Sequence, residues 1–233
     1  MPVAYAYPAD MRATRDLMRR RLLFVRQRGS LLAHVQITHH QYNVDPPGKR
    51  ITYRSNREGL GEGFEDSSVR HSIAADLALA DHYEVTIGEL ELAVLRQARI
   101  HDPNALALLT SVPGIGKVLA LTILYEIHDI SRFPSVRDFA SYSRLVKCER
   151  SSAGKSLGSG GNKIGNAYLK WAFSEAAVLF IAKSEQGRTV LTRLERKYGK
   201  PKALSVLAHK LGRAVYYMLA RKQAFDPQRF ATS

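Results

Sequence analysis

Seven-residue spacing constrains this chain more than any other feature. Met11, Met18, Val25 and Leu32 recur at that interval, with Leu22 between them, from about Pro8 to His40. Arg12, Arg15, Arg19, Arg20, Arg21, Arg26 and Arg28 fill the other faces, which is the pattern of a helix with one apolar edge. A second segment, from about Ser67 to Ala98, steps Ile73, Leu77, Ala80, Tyr83, Ile87, Leu90 and Val94 by three and four residues. Between the two, Pro46, Pro47, Gly48, Gly59, Gly61 and Gly63 interrupt any long element. The spacing therefore predicts a two-helix coiled-coil arm with a loop over 43–66, paired antiparallel within one subunit or between two. Two ordinary bundle helices are the other arrangement the pattern allows. Asp76, Asp81 and Glu84 read as the solvated face of the second helix.

His101-Asp102-Pro103-Asn104 is expected to act as a hinge, because proline disfavours helix in the residue before it. The expected division is an arm over 1–102 and a compact, mainly helical domain over 103–233. The fold class expected is mainly α.

Charge narrows the partners. Lys and Arg number 35 against 21 Asp and Glu, a formal net charge of +14. Such a surplus points to a polyanion, since each phosphate neutralised releases condensed counterions. An anionic membrane would require an amphipathic anchor or a juxtamembrane basic cluster, and neither is present in the sequence. No apolar run approaches the roughly 20 residues of a spanning helix. The opening MPVAYAYPADMRATRD lacks the basic-then-apolar order of a signal peptide. Nucleic acid in the cytoplasm, with no membrane partner, is the expectation. Cys148 is the only cysteine, which excludes an internal disulfide and reads as a small, partly buried apolar residue. No Cys or His cluster has zinc spacing.

The segment ALLTSVPGIGKVLALTILYEI places a tight turn, Pro113-Gly114-Ile115-Gly116, between two apolar helices. This order is that of a helix-hairpin-helix-like element. Gly114 and Gly116 let a backbone approach closely, the following helix offers free N–H groups, and Lys117 adds a full charge. The turn is either a sequence-independent phosphate contact or a plain packing corner. Farther on, Phe133, Phe139, Tyr142 and Leu145 read as core anchors.

The tract Ser151 to Asn166 is rich in Ser, Gly, Lys and Asn. Gly154-Lys155-Ser156 fails as a phosphate-binding P-loop, because the required upstream glycine is Glu149. What remains is a flexible loop with serines beside Arg150, Lys155 and Lys163, then a helix from about Asn166. Its serines are either ordinary loop residues or a nucleophile toward a phosphodiester. Trp171, Phe173 and Phe180 fall at helical spacing and read as core, and His128 and His209 read as structural helical histidines. Arg188, Arg193, Arg196, Lys197, Lys200, Lys202, Lys210 and Arg213 together form a DNA or RNA footprint.

The run SVPGIGKVLALTILYEIHDISRFPSVRDFASYSRLVK, then SSAGKSLGSGGNKIGNAYLKWAFSEAA, resembles the C-terminal transposase domain of the insertion-sequence family called IS-one-ten. These are DEDD-type, bridge-RNA-guided serine recombinases of bacterial mobile elements. The likeness covers roughly Leu108 to Phe225. It joins the PGIG turn, the E-I-x-D-I-x-R-F stretch, the S-A-G-K loop, the K-x-G-N-x-x-L-K helix start and a closing A-H-K-L-x-R-A-V-Y-Y helix. Residues 8–100 resemble the family's coiled-coil arm more loosely.

The resemblance implies that Ser152 attacks DNA and forms a phosphoserine link, with Ser151 the second choice. It further implies DNA and a guide RNA as partners, and a dimer or tetramer assembled through the arm. Gly114, Gly116, Lys117, Arg150, Lys155, Lys163 and Asn166 are the expected phosphate-binding positions. In the family an RNase-H-like domain ahead of the arm holds divalent metal on four acidic residues. No K-x-D-x-x-D-A element precedes Tyr5 here, and Asp10 and Asp16 fall in the first arm helix. The expectation is an N-terminally truncated chain that binds no metal itself, meets Mg2+ only with the missing acidic domain, and binds DNA without cutting it alone. The alternatives are a non-enzymatic helical DNA-binding protein or an inactive transposase remnant.

Overall fold

A computed structural model of the chain describes residues 5–45, 47–146, 149–152, 155–159 and 165–232, with 149–152 and 155–159 described by backbone alone. Among these residues the fold is mainly α, as the periodicity predicts, with one two-stranded hairpin. The chain divides into two compact units, Asp16–Val94 and Met1–Arg15 with Leu95–Ser233.

The first unit is built on α1 (Ala9–Gln41) and α2 (Ser67–His101). Arg21 donates to Glu91 at 2.7 Å, Arg28 pairs with Glu84 at 2.9 Å, and His34 meets Asp76 at 2.5 Å. Partners descend along α2 as they ascend along α1, so the helices run antiparallel. Met18, Leu22, Leu32 and Val35 are buried on α1, and Ile73, Ala80, Ile87 and Val94 on α2. Those α2 positions are themselves seven residues apart, the interval that keeps one helix edge in register with a neighbour.

The segment between these helices is more than an interruption. Ile51 and Phe64 are buried in one apolar cluster with Leu32, Val35, Val69, Ile73 and Ala80. Arg57 lies under this cap with its side chain only 5% exposed. Its Nε donates to the Ile51 carbonyl at 2.8 Å and an Nη to the Thr52 carbonyl at 3.0 Å. Its charge is met by Asp81 and, at 3.0 Å, by Glu84. A buried guanidinium requires such compensation, because an unpaired buried charge is strongly destabilising. The expected solvated face of Asp76, Asp81 and Glu84 is corrected in part, since Asp76 and Asp81 are half-buried, Glu84 is exposed as expected, and all three are paired. These carboxylates hold the arginines and histidine of α1 and the connecting segment.

The second unit comprises α3 (Pro103–Thr110), α4 (Lys117–Ile127), α5 (Val136–Tyr142), β1 (Glu149–Ser152), β2 (Lys155–Ser159), α6 (Ala167–Lys183), α7 (Glu185–Tyr198), α8 (Lys200–Arg221) and α9 (Pro227–Thr232). Helix α8 packs against α3, α5, α6 and α7, and α6 packs against α4, α7 and α8. Helix α4 buries every residue from Leu119 to Ile127, as a helix apolar on all sides must. On α6 the buried row alternates small and large, with Ala172, Ala176 and Ala177 between Leu169, Phe173 and Phe180. Trp171 stands apart from this row and is only half-buried.

The break expected at Pro103 is a capped corner. Asp102 Oδ1 accepts the Ala105 N–H at 2.8 Å, and the proline occupies the first turn, where a missing N–H costs nothing. His128 lies just beyond α4 rather than within a helix. It has φ +62°, and its ring is hydrogen-bonded to the Tyr5 hydroxyl. No helix among the described residues is long and apolar enough to cross a membrane.

Candidate nucleic-acid interface

The turn between α3 and α4 divides its two glycines between inside and outside. Gly114 is buried at φ +93°, and a Cβ there would lie 2.5 Å from the Phe180 amide nitrogen. The turn is thus pressed onto the backbone of α6, and this glycine is required by packing. Gly116 is exposed, with nothing within 4 Å of the position a Cβ would take. It begins α4 without a capping side chain, and exposed Lys117 follows.

Helices α3, α5, α6 and α7 start on Asp102, Ser135, Asn166 and Ser184, whose side chains each accept a first-turn N–H. Helices α4 and α8 start on Gly116 and Gly199 with no side-chain cap, and each is followed by a lysine, Lys117 and Lys200. Uncapped first-turn amides beside a cation suit a phosphate oxygen.

The serine tract forms a β-hairpin in place of the expected irregular loop. Strands β1 and β2 pair antiparallel with Ser152 opposite Lys155 and Ser151 opposite Ser156. The backbone register thus sets the expected nucleophile beside an expected cation on the neighbouring strand. Arg150 lies on β1. Lys163, Gly154 and Cys148 lie outside the described residues.

Both feet of this segment are held together. The Asn166 N–H donates to the Tyr142 carbonyl at 2.6 Å. Gly165, at φ +98°, leaves only 2.7 Å between a would-be Cβ and that same oxygen. Asn166 itself, 7% exposed, caps α6 by accepting the Tyr168 and Leu169 N–H groups at 2.9 and 3.0 Å. Its amide nitrogen donates to Glu126 at 2.7 Å. The Asn166 side chain is therefore committed inside the protein, whereas Lys117 is exposed.

Glu126, 4% exposed, escaped the sequence reading. The signal available for it was one carboxylate in the apolar run LALTILYEI, with no basic residue a turn away to pair with it. Nearby, burial pushes the Tyr125 phenol up to about 12 and raises Tyr7 further, so both stay protonated donors. The Tyr7 hydroxyl donates to the Tyr125 carbonyl at 2.7 Å.

On the last helices, Arg188, Arg193, Arg196, Lys197, Lys200, Lys202 and Arg213 are exposed. Residues 185–202 carry six cations against Glu185 and Glu195, so this stretch is locally cationic. Lys210 belongs less to this surface. Burial and then the Arg193 charge lower its pKa, and its Nζ sits 4.9 Å from the Phe230 ring centre. His209 is likewise lowered, by burial first and by Arg213 second.

Among the described residues no three His, Cys, Asp or Glu side chains stand together as metal ligands. The carboxylates at 76, 81, 84 and 91 are occupied by His34, Arg57, Arg28 and Arg21. They do not fit a magnesium site, and no chemistry is assigned to metal on the residues described.

Residues 106–191 match the family model described as the transposase IS116/IS110/IS902 family. The chain is also similar to the transposase for insertion sequence element IS1111A of Coxiella burnetii (strain RSA 493 / Nine Mile phase I). That relative is 26% identical over 119 residues, covering 49% of this chain and 33% of the relative. The stretch matched by the family model contains the Gly114 turn, the serine hairpin and Asn166.

Proposed function

We propose that this chain is the DNA-handling part of an insertion-sequence transposase of that family, with Ser152 as its nucleophile. The observation that carries the reading is that one family match, residues 106–191, encloses the turn with Gly116 and Lys117, the Ser152–Lys155 strand pair and the clamped foot at Asn166. Exposed α4 and α8 starts and the cations of 188–202 supply sequence-independent phosphate contacts, which position DNA without specifying it. Asn166 serves as a helix cap rather than a phosphate ligand.

In the proposed step the Ser152 Oγ attacks a DNA phosphorus, a new P–O bond forms, and one phosphodiester P–O bond breaks. The serine proton passes to base or solvent, and the released DNA hydroxyl takes up a proton. Lys155 and Arg150 stabilise the extra negative charge on the phosphoryl oxygens. A guide RNA, an antiparallel coiled-coil arm that joins subunits into a dimer or tetramer, and a helix-hairpin-helix role for α3–α4 belong to the same proposal. Divalent metal would enter with the family's acidic domain.

The test is a suicide duplex that traps a covalent intermediate, with the acidic domain and magnesium supplied in trans. A protein–DNA adduct is expected, and Ser152→Ala should abolish it. An adduct that survives Ser152→Ala overturns the assignment. A non-enzymatic DNA-binding protein is the second reading, favoured by the uncapped, lysine-flanked starts of α4 and α8, which bind phosphate without any serine. It predicts salt-sensitive DNA binding and no adduct.

A further inference from the structure

A carboxylate buried in an apolar helix calls for an explanation, because taking it out of water is costly unless specific partners receive it. Glu126 is such a group, at the end of α4, and Asn166 donates to it at 2.7 Å. Asn166 is forty residues away, at the second residue after the 147–164 segment. Its side chain uses both chemical ends. The oxygen accepts two N–H groups of α6, and the nitrogen donates to Glu126 and toward the Tyr142 hydroxyl at 3.4 Å.

Serine or aspartate would cap α6 equally well, since both are good N-cap residues. Neither would do both jobs. Serine lacks a second polar atom to reach the carboxylate, and aspartate would set one carboxylate against another. The choice of asparagine is explained only by the tie to Glu126.

We propose that Glu126 and Asn166 are positioning residues for the hairpin that carries Ser152. The Glu126–Asn166 pair fixes the start of α6 against the end of α4. Through the Asn166 N–H and Gly165, that start is fixed against Tyr142 at the end of α5. The described residues that flank the 147–164 segment are thereby held on three packed helices, α4, α5 and α6. Neither side chain touches DNA. Their effect on the reaction comes from holding the nucleophile in line, and a misplacement of about 1 Å by a remote change is worth about a hundredfold in rate. The proposal rests on the reading of Ser152 as nucleophile.

The test uses the full chain as wild type, Glu126→Gln, Asn166→Asp and the double variant. Glu126→Gln keeps an acceptor oxygen for Asn166 and should behave like wild type. Asn166→Asp keeps the cap and loses the donor. Trypsin cleavage within 147–164, which holds Lys147, Arg150, Lys155 and Lys163, should then speed up about tenfold. Adduct formation at saturating DNA should slow by about ten- to a hundredfold, with duplex Kd changed less than about twofold. In the double variant a glutamine amide faces an aspartate, the same tie with reversed polarity, and both readouts should return toward wild type.

A merely structural role would lower thermal stability and DNA affinity together with the adduct rate, without the separation of rate from Kd. Wild-type cleavage and adduct rates in Asn166→Asp, or a double variant as poor as Asn166→Asp, overturn the proposal. With the acidic domain and magnesium supplied in trans, a wild type that forms no adduct sinks the Ser152 reading instead, and the protease arm still decides whether the tie holds the segment.

Discussion

The two units of this protein solve the same problem, burying apolar surface in a highly cationic chain, in opposite ways. In the unit over Asp16–Val94 the charges work inward. A single apolar seam is flanked by Arg21–Glu91, Arg28–Glu84 and His34–Asp76, and a buried Arg57 closes the cap. In the unit that holds α3–α9 the packing is aromatic and close. Phe139 meets Phe173 edge-on at 6.0 Å, Phe180 meets Phe230 at 5.2 Å, and Gly114 lies against backbone. Its cations face outward, where nothing acidic matches their number. The contrast teaches where to look for function. Four carboxylates of the first unit, Asp76, Asp81, Glu84 and Glu91, hold its arginines and histidine, whereas the exposed cations of the second have no such partners in number.

The largest effect expected from breaking this contrast is at Gly114. Gly114→Val forces a side chain into α6 at a positive φ and should cost about 3–5 kcal/mol in urea unfolding, whereas Gly116→Ala should cost no more than about 1 kcal/mol. Equal costs would mean that the turn does not press on α6.

Next comes Arg57→Met, which removes the buried guanidinium and leaves Asp81 to Arg54 and Glu84 to Arg28. Because those acids are partly exposed, a loss of about 2–3 kcal/mol is expected. It should be read by hydrogen exchange as lost protection over 51–84 with little change over 117–127. Uniform loss would show that the first unit has no stability of its own.

The outward charge of the second unit is sharpened by Arg188→Gln, Arg196→Gln and Lys200→Gln combined. Stability should stay within about 0.5 kcal/mol, while the slope of log affinity against log salt for duplex DNA should fall by about 2–3. An unchanged slope would remove these helices from the interface.

The smallest effect is that of pH on His209. Its folded pKa lies below the ordinary 6.5, so its contribution to stability is present above that value and is lost as pH falls through the folded one. Melting from pH 7 to pH 5 should show a Tm decrease of a few degrees at most that His209→Gln flattens. A steeper decrease in His209→Gln than in wild type would reverse the assigned direction.

Legibility followed distance along the chain. The seams of α1 and α2 and the Gly114 turn were readable because helical period and turn chemistry are local properties. Arg57 was not, since its carboxylates lie 24 and 27 residues away on another element. The same holds for Glu126 and Asn166. In the sequence, Asn166 was an N-cap beside a basic loop and was assigned to phosphate, and Glu126 drew no attention. His128 looked helical from its apolar neighbours until its positive φ and its contact with Tyr5 placed it past the end of α4.

By itself, then, the sequence determined the mainly α fold, the two long helices with their apolar edges, the turn ahead of Lys117 and the excess of positive charge. Each of these depends on residues within a few positions of one another or on composition. Tertiary structure alone decided which charges are spent internally and which face solvent. It also decided that Ser152 stands across a strand from Lys155, and that the foot of that hairpin is fastened to a buried carboxylate. Those outcomes depend on side chains and strands brought together by packing, because a buried charge or a helix start takes its partner from whatever element the fold lays beside it.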